Sequence, residues 1–204
     1  TRYKNYQSDE RNRFFGNVFG TLEINDWLYV TAKGAVDTYN ELREERRAVG
    51  SVATQFGILG DDEGSGYDRV DILFSEYNYD LMFNVNKQLT DDLSLDGVFG
   101  INVRKESYSY LRNSTAGGLV IPNLYALSNS SSSNPKPIEV LREKQVNGYY
   151  AQASFGYKNT LYLDLTDRFD VSTALPSKNN SYNYYAASSS LIFSKLVDIE
   201  WLDF

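Results

Sequence analysis

The sequence predicts an all-β chain of antiparallel, up-and-down topology: a transmembrane β-barrel segment of about seven strands. Three observations predict it. Apolar and polar residues alternate with period two in blocks of about ten, which is strand rather than helix periodicity. Very short turns alternate with long polar connections. Finally, 15% of the residues are aromatic while mean hydropathy is only −0.45, as expected of strands that are apolar on one face and wet on the other.

The first alternation places Phe14, Gly16, Val18, Gly20, Leu22 and Ile24 on one face, opposite Phe15, Asn17, Phe19, Thr21 and Glu23. After Asn25 and Asp26 it resumes with Leu28, Val30, Ala32, Gly34 and Val36, opposite Tyr29, Thr31, Lys33, Ala35 and Asp37. Two such runs around a tight corner predict a hairpin. A second hairpin follows. Leu73, Tyr77, Tyr79, Leu81, Phe83 and Val85 share a face opposite Glu76, Asn78, Asp80, Asn84 and Asn86. Beyond the Thr90-Asp91-Asp92 turn come Leu93, Leu95, Gly97, Phe99, Ile101 and Val103, opposite Ser94, Asp96, Asn102 and Arg104. The third hairpin sets Tyr149, Ala151, Ala153, Phe155 and Tyr157 before a Lys158-Asn159 turn. Leu161, Leu163 and Leu165 follow, opposite Tyr162, Asp164, Thr166 and Arg168. A seventh run carries Ala187, Ser189, Leu191 and Phe193.

The turns near 25, 91 and 158 are short, whereas the connections over 40–68, 108–145 and 172–182 are long and rich in Gly, Ser, Asn, Asp and Pro. That asymmetry is the pattern of an outer-membrane barrel, and long structureless loops are uncommon in compact domains. Tyr39, Tyr67, Tyr108, Tyr110, Tyr182, Tyr184 and Tyr185 bunch toward the long-loop side, as an interfacial girdle would, although β-propensity alone explains part of this. Tyr110, Leu119, Val120, Ile121, Leu124, Tyr125 and Leu127 give the 108–145 connection apolar anchors. Those anchors predict an external loop that contacts a partner or cargo, or folds over the chain's own mouth.

Composition excludes several functions. The chain has no cysteine, hence no disulfide frame or thiolate metal site, and no histidine, the commonest general base and transition-metal ligand. A net charge of −7 argues against a nucleic-acid partner. No apolar run reaches the roughly 20 residues of a membrane helix, and no signal peptide opens the chain. No cofactor is expected. Asp164, Arg168 and Asp170 share one strand face as a charge ladder or, less simply, as a substrate contact; Glu76 and Asp80 pose the same choice. The 60–66 loop, with Asp61, Asp62 and Glu63, has the carboxylates for a hard cation but not the spacing of a calcium-binding loop, and an acidic loop tip is the plainer reading. Arg43-Glu44-Glu45-Arg46-Arg47 is expected as a charged loop collar, or else as an extension of the second strand. Catalytic, metal and cofactor residues are therefore none, the substrate-binding residues are unknown, and the chain is not expected to be an enzyme.

Three segments carry a resemblance. Asn12-Arg13-Phe14-Phe15-Gly16-Asn17, followed by Ile24-Asn25-Asp26-Trp27-Leu28, is similar to barrel hairpins of the SusC/RagA-type TonB-dependent transporters of Bacteroidetes. The stretch 162–176, with Arg168, Asp170, Ser172, Leu175 and Pro176, resembles that family's R-x-D-x-S-S-x-L-P segment. Asn180-Ser181-Tyr182 and Leu191-Ile192-Phe193-Ser194 resemble the strand that follows it, and Trp201-Leu202 the next turn. Tyr185-Ala186 and Ala174 depart from the family pattern. The resemblance implies a 22-stranded barrel with an N-terminal plug, energised by TonB, importing oligosaccharides or peptides beneath a SusD-like surface lipoprotein. On this reading residues 1–204 are part of one barrel domain in contact with membrane lipid of the outer membrane; the plug and the remaining strands lie outside the chain, which stops inside a turn. The competing reading is a soluble β-sandwich module that binds carbohydrate or acts as an adhesin.

Overall fold

The computed structural model describes residues 4–51 and 64–196. It contains seven strands: β1 (Tyr6–Asn25), β2 (Leu28–Arg47), β3 (Gly66–Thr90), β4 (Leu93–Ser114), β5 (Ile138–Tyr157), β6 (Leu161–Ser172) and β7 (Ser181–Leu191). They form one sheet in the order β1-β2-β3-β4-β5-β6-β7, each strand beside its neighbour in sequence, with β1 and β7 at the two edges. This corrects the expected fold. The sheet is open and is not closed into a barrel, so the transmembrane-barrel segment is replaced by a seven-stranded open sheet. Among the described residues no helix is long and apolar enough to cross a membrane.

The strands run well past the alternating blocks. The second, third and fourth have 20, 25 and 22 residues, beyond the usual 3–10 of a globular strand. The charged run Arg43-Glu44-Glu45-Arg46-Arg47 lies inside β2 and extends it, so the collar expectation is corrected. Tyr39, Tyr108 and Tyr110 lie inside strands, and Tyr67 and Tyr182 each stand second in theirs, at the ends that adjoin long connections.

By contact the chain divides into two compact units. One comprises 16–36, 77–105 and 144–204 and holds the short turns. Local chemistry shapes each turn. The Asn25 side chain accepts a hydrogen bond from the Trp27 amide at 3.2 Å. The Thr90 hydroxyl accepts from the Leu93 amide at 3.1 Å. Lys158 and Asn159 both have positive φ, 54° and 50°, the mirror-image turn whose twist suits a two-residue hairpin. Register then fixes the faces. Ala153 pairs with Leu165 and that with Ala187, while Phe155 pairs with Leu163 and that with Ser189. The apolar alternation of three strands thus coincides on one side of the sheet, and a one-residue slip would scatter it. No second layer covers it among the described residues. Leu163, Leu165 and Leu191 remain exposed, and the unit's buried residues are the strand glycines Gly100, Gly148 and Gly156.

The other unit comprises 1–15, 37–76 and 106–143 and contains the buried core, built from Ala48, Tyr67, Val70, Ile72 and Leu119. The connection after β4 folds back on this unit. Leu119 pairs with Ser130, and the Leu119 amide donates to the Ser65 hydroxyl at 2.8 Å. The buried side chain of Asn129 accepts from the Ile121 amide at 2.9 Å and donates to the Ile121 and Leu124 carbonyls at 2.8 and 2.7 Å. This brace leaves Val120, Ile121 and Leu124 exposed at the tip. Of the expected anchors, Leu119 packs into the chain's own core, while Val120, Ile121 and Leu124 do not.

Candidate functional site

Alternation gives the sheet a polar side, and cross-strand register decides which of its residues meet. On β5, β6 and β7 one row is Tyr150, Arg168 and Tyr184; the next is Gly148, Asp170 and Tyr182; on the other flank lie Gln152, Thr166 and Ala186. The Arg168 Nε donates to both Asp170 oxygens at 2.9 and 3.0 Å, and the guanidinium carbon lies 5.7 Å from the centre of the Tyr150 ring. Two glycines make room for this arrangement. A Cβ at Gly148 would fall 2.6 Å from Asp170 Oδ1 and 2.7 Å from Arg168 Nη2. A Cβ at Gly100 would collide with the outer edge of the Tyr150 ring. Glycine within a strand marks such a close approach.

Fixed polar groups adjoin the row. The Asn102 amide donates to Asn78 Oδ1 at 2.9 Å and to Asp80 Oδ1 at 2.7 Å, and Asn78 in turn donates to Asp80 at 3.0 Å. Burial and then the Asp80 charge raise the pKa of the Tyr150 phenol, against the pull of Arg168. The Asp170 hydrogen bond, opposed by burial, keeps Arg168 firmly protonated. A concavity of about 310 Å³ is lined in part by Tyr150, Gln152, Thr166, Arg168 and Tyr184.

The unit with the buried core offers a second, more acidic concavity of about 340 Å³, lined by Gln7, Asp9, Arg43, Glu44, Glu45 and Asp68 among others. Its charges are engaged by one another. Arg11 donates to Glu41 at 2.7 Å, Arg43 also pairs with Glu41, Arg112 with Asp68 at 2.7 Å, and Arg46 with Glu44 at 2.7 Å. Burial alone would raise Glu41, but its bonds from Arg11 and Arg43 outweigh it and hold the carboxyl below the usual range. At Asp68 burial wins over Arg112, and the pKa rises. The Tyr67 hydroxyl donates to Glu44 at 2.5 Å, and burial first, with that bond second, pushes its pKa up to about 12.

The residues singled out from sequence divide accordingly. Arg168 and Asp170 come together, whereas Asp164 sits two rows away and accepts weakly from Ser188 at 3.5 Å. Asp80 joins Asn78 and Asn102, and Glu76 belongs to the other unit. Residues 60–63 lie outside the described residues, as do Trp201 and Leu202. No cluster of three or more His, Cys, Asp or Glu side chains suited to a metal occurs among the described residues. Sequence reasoning missed the partnership of Tyr150 with Arg168; the strand glycines Gly100 and Gly148 were its available signal.

No family model and no curated protein matches this chain. Solved structures do. The RagAB peptide transporter matches with a TM-score of 0.85 and 16% identity over 97% of this chain and 22% of that one. The RagAB peptide importer in its open-open state gives a TM-score of 0.81 at 17% identity, and in its closed-closed state 0.78 at 16%. Those two matches cover 97% of this chain and 21% of the other. At such identities the likeness shows the fold, and the chain spans about one-fifth of those transporter chains. The SusC/RagA resemblance is corrected accordingly. The fold is shared, but the chain forms an open seven-stranded sheet rather than a closed barrel fragment, and a multi-pass outer-membrane location, which rested on that barrel, falls with it.

Proposed function

We propose that this chain is a non-catalytic binding sheet that holds a carbohydrate or peptide ligand on its polar side. The carrying observation is the row of Tyr150, Arg168 and Tyr184, in which Arg168 stands between two tyrosines in register and its guanidinium, pinned by Asp170, lies against the Tyr150 ring, with no second layer over it among the described residues. A few fixed polar groups beside aromatic surface are what ligand sites are made of. The open sheet favours the binding-module reading, carbohydrate-binding or adhesive, because no second layer encloses its polar side among the described residues.

The likeness to RagAB supports a narrower, second reading, in which residues 1–204 are one portion of a larger TonB-dependent nutrient importer that works with a SusD-like lipoprotein. Under it the exposed Val120, Ile121 and Leu124 tip is available to the lipoprotein or the cargo. Calorimetric titration of the intact protein with oligosaccharides and short peptides tests the first reading: saturable binding without turnover is expected, and turnover of a bound ligand, or no binding of either class, overturns it. Co-purification of a lipoprotein and TonB-dependent uptake separate the second reading from a free-standing module.

A further inference from the structure

We propose that the row Tyr150–Arg168–Tyr184, with Asp170 and Tyr182 beside it, is a subsite for a neutral oligosaccharide. The inference rests on the binding-sheet reading and commits it to one ligand class and one place.

Charge narrows the class. Arg168 is bonded through Nε to Asp170, and Asp80 lies near enough to act on both Arg168 and Tyr150. An anionic ligand therefore meets two carboxylates beside one arginine, which disfavours it. Those carboxylates are themselves engaged, Asp170 by Arg168 and Asp80 by Asn78 and Asn102, which leaves them poorly placed to hold a cation. What remains is a fixed array of donors and acceptors for uncharged oxygens. The Arg168 terminal nitrogens make no hydrogen bond among the described residues, while its Nε and the ring of Tyr150 hold it in place. Two hydroxyls of a sugar ring present oxygens that such a planar fork can serve together.

Shape narrows it further. Tyr184 and Tyr182 are exposed, at 58% and 47%, and lie one row apart on β7 on the same side as Arg168. Their rings offer apolar surface with a polar tip, complementary to a sugar's C–H face and its hydroxyl rim. The small residues Gly148 and Ala186 keep the adjoining surface low, so an extended chain of sugar rings can lie across the strands.

Tyrosine fluorescence and calorimetry on the intact protein read the outcome, with gluco-, manno- and xylo-hexaoses as neutral probes, an oligogalacturonate as the acidic probe and hexa-alanine as the peptide. At least one neutral hexaose is expected to bind, more tightly than the acidic probe. Tyr184→Ala and Arg168→Gln should each weaken it about tenfold or more, and Gly148→Ala should do likewise by displacing the Arg168–Asp170 pair. Tyr184 is exposed, so its variant tests contact rather than folding. No neutral hexaose bound, or affinity unchanged in both Tyr184→Ala and Arg168→Gln, overturns the subsite. Hexa-alanine bound in its place, and weakened by the same variants, overturns the sugar class while leaving the binding sheet standing. Loss of both ligand classes from the parent protein removes the binding sheet itself.

Discussion

Tyr67 shows how one buried hydroxyl reports on its surroundings. It is 4% exposed, donates to Glu44, and has a pKa pushed up to about 12 by burial and by that bond. A folded-state pKa above the unfolded value means that the neutral phenol is the stabilised form. Its contribution is present in full below about pH 10 and is lost as pH rises through about 12. Among 17 tyrosines, the Tyr67 ring carbon followed by NMR should titrate late, and Tyr67→Phe should remove that signal. Ionisation of Tyr67 together with the exposed tyrosines would refute the burial argument. The site residues were partly legible at this scale. Arg168 and Asp170 stand two apart on one strand face, so their pairing follows from alternation. Tyr150 and Tyr184 join them only through register, which depends on turn geometry and on how three strands align, and no single strand's sequence states it.

At the level of elements, the short turns were legible because turn chemistry is local, and the strand ends were not. From Arg43 to Arg47 every residue of β2 is charged, on both faces, so period two disappears although the ladder continues. Charge pairing within the sheet replaces apolar burial there, and composition does not reveal it. The turn between β5 and β6 offers a direct test. Lys158 adopts a φ of 54°, a left-handed conformation that costs a β-branched residue far more than glycine or asparagine. Lys158→Val should therefore lower stability in urea unfolding, by on the order of 1 kcal/mol beyond the left-handed penalty that the lysine already bears. A variant as stable as its parent would mean that another turn is readily accessible.

For the whole molecule, seven antiparallel strands in sequence order were legible, and closure was not, because alternation describes faces and says nothing about what lies beyond the outermost strands. The two edges of the sheet differ. Along β1, Asp9, Glu10, Arg11 and Arg13 near its start and Glu23 near its end are charges of the kind that blunt an edge against further pairing, with the uncharged run Phe14–Leu22 between them. Along β7, from Ser181 to Leu191, there is neither a charge nor a proline. Sedimentation velocity should show concentration-dependent association of the chain, abolished by Tyr185→Lys together with Ser189→Lys; association that persists in that double variant would place the contact elsewhere. Pairing through β7 alone terminates itself, because two copies joined by their last strands leave no second β7 free. The uncharged run Phe14–Leu22 of β1 is then the margin at which a third copy would add, and the step at which a closed pair would give way to a fibre.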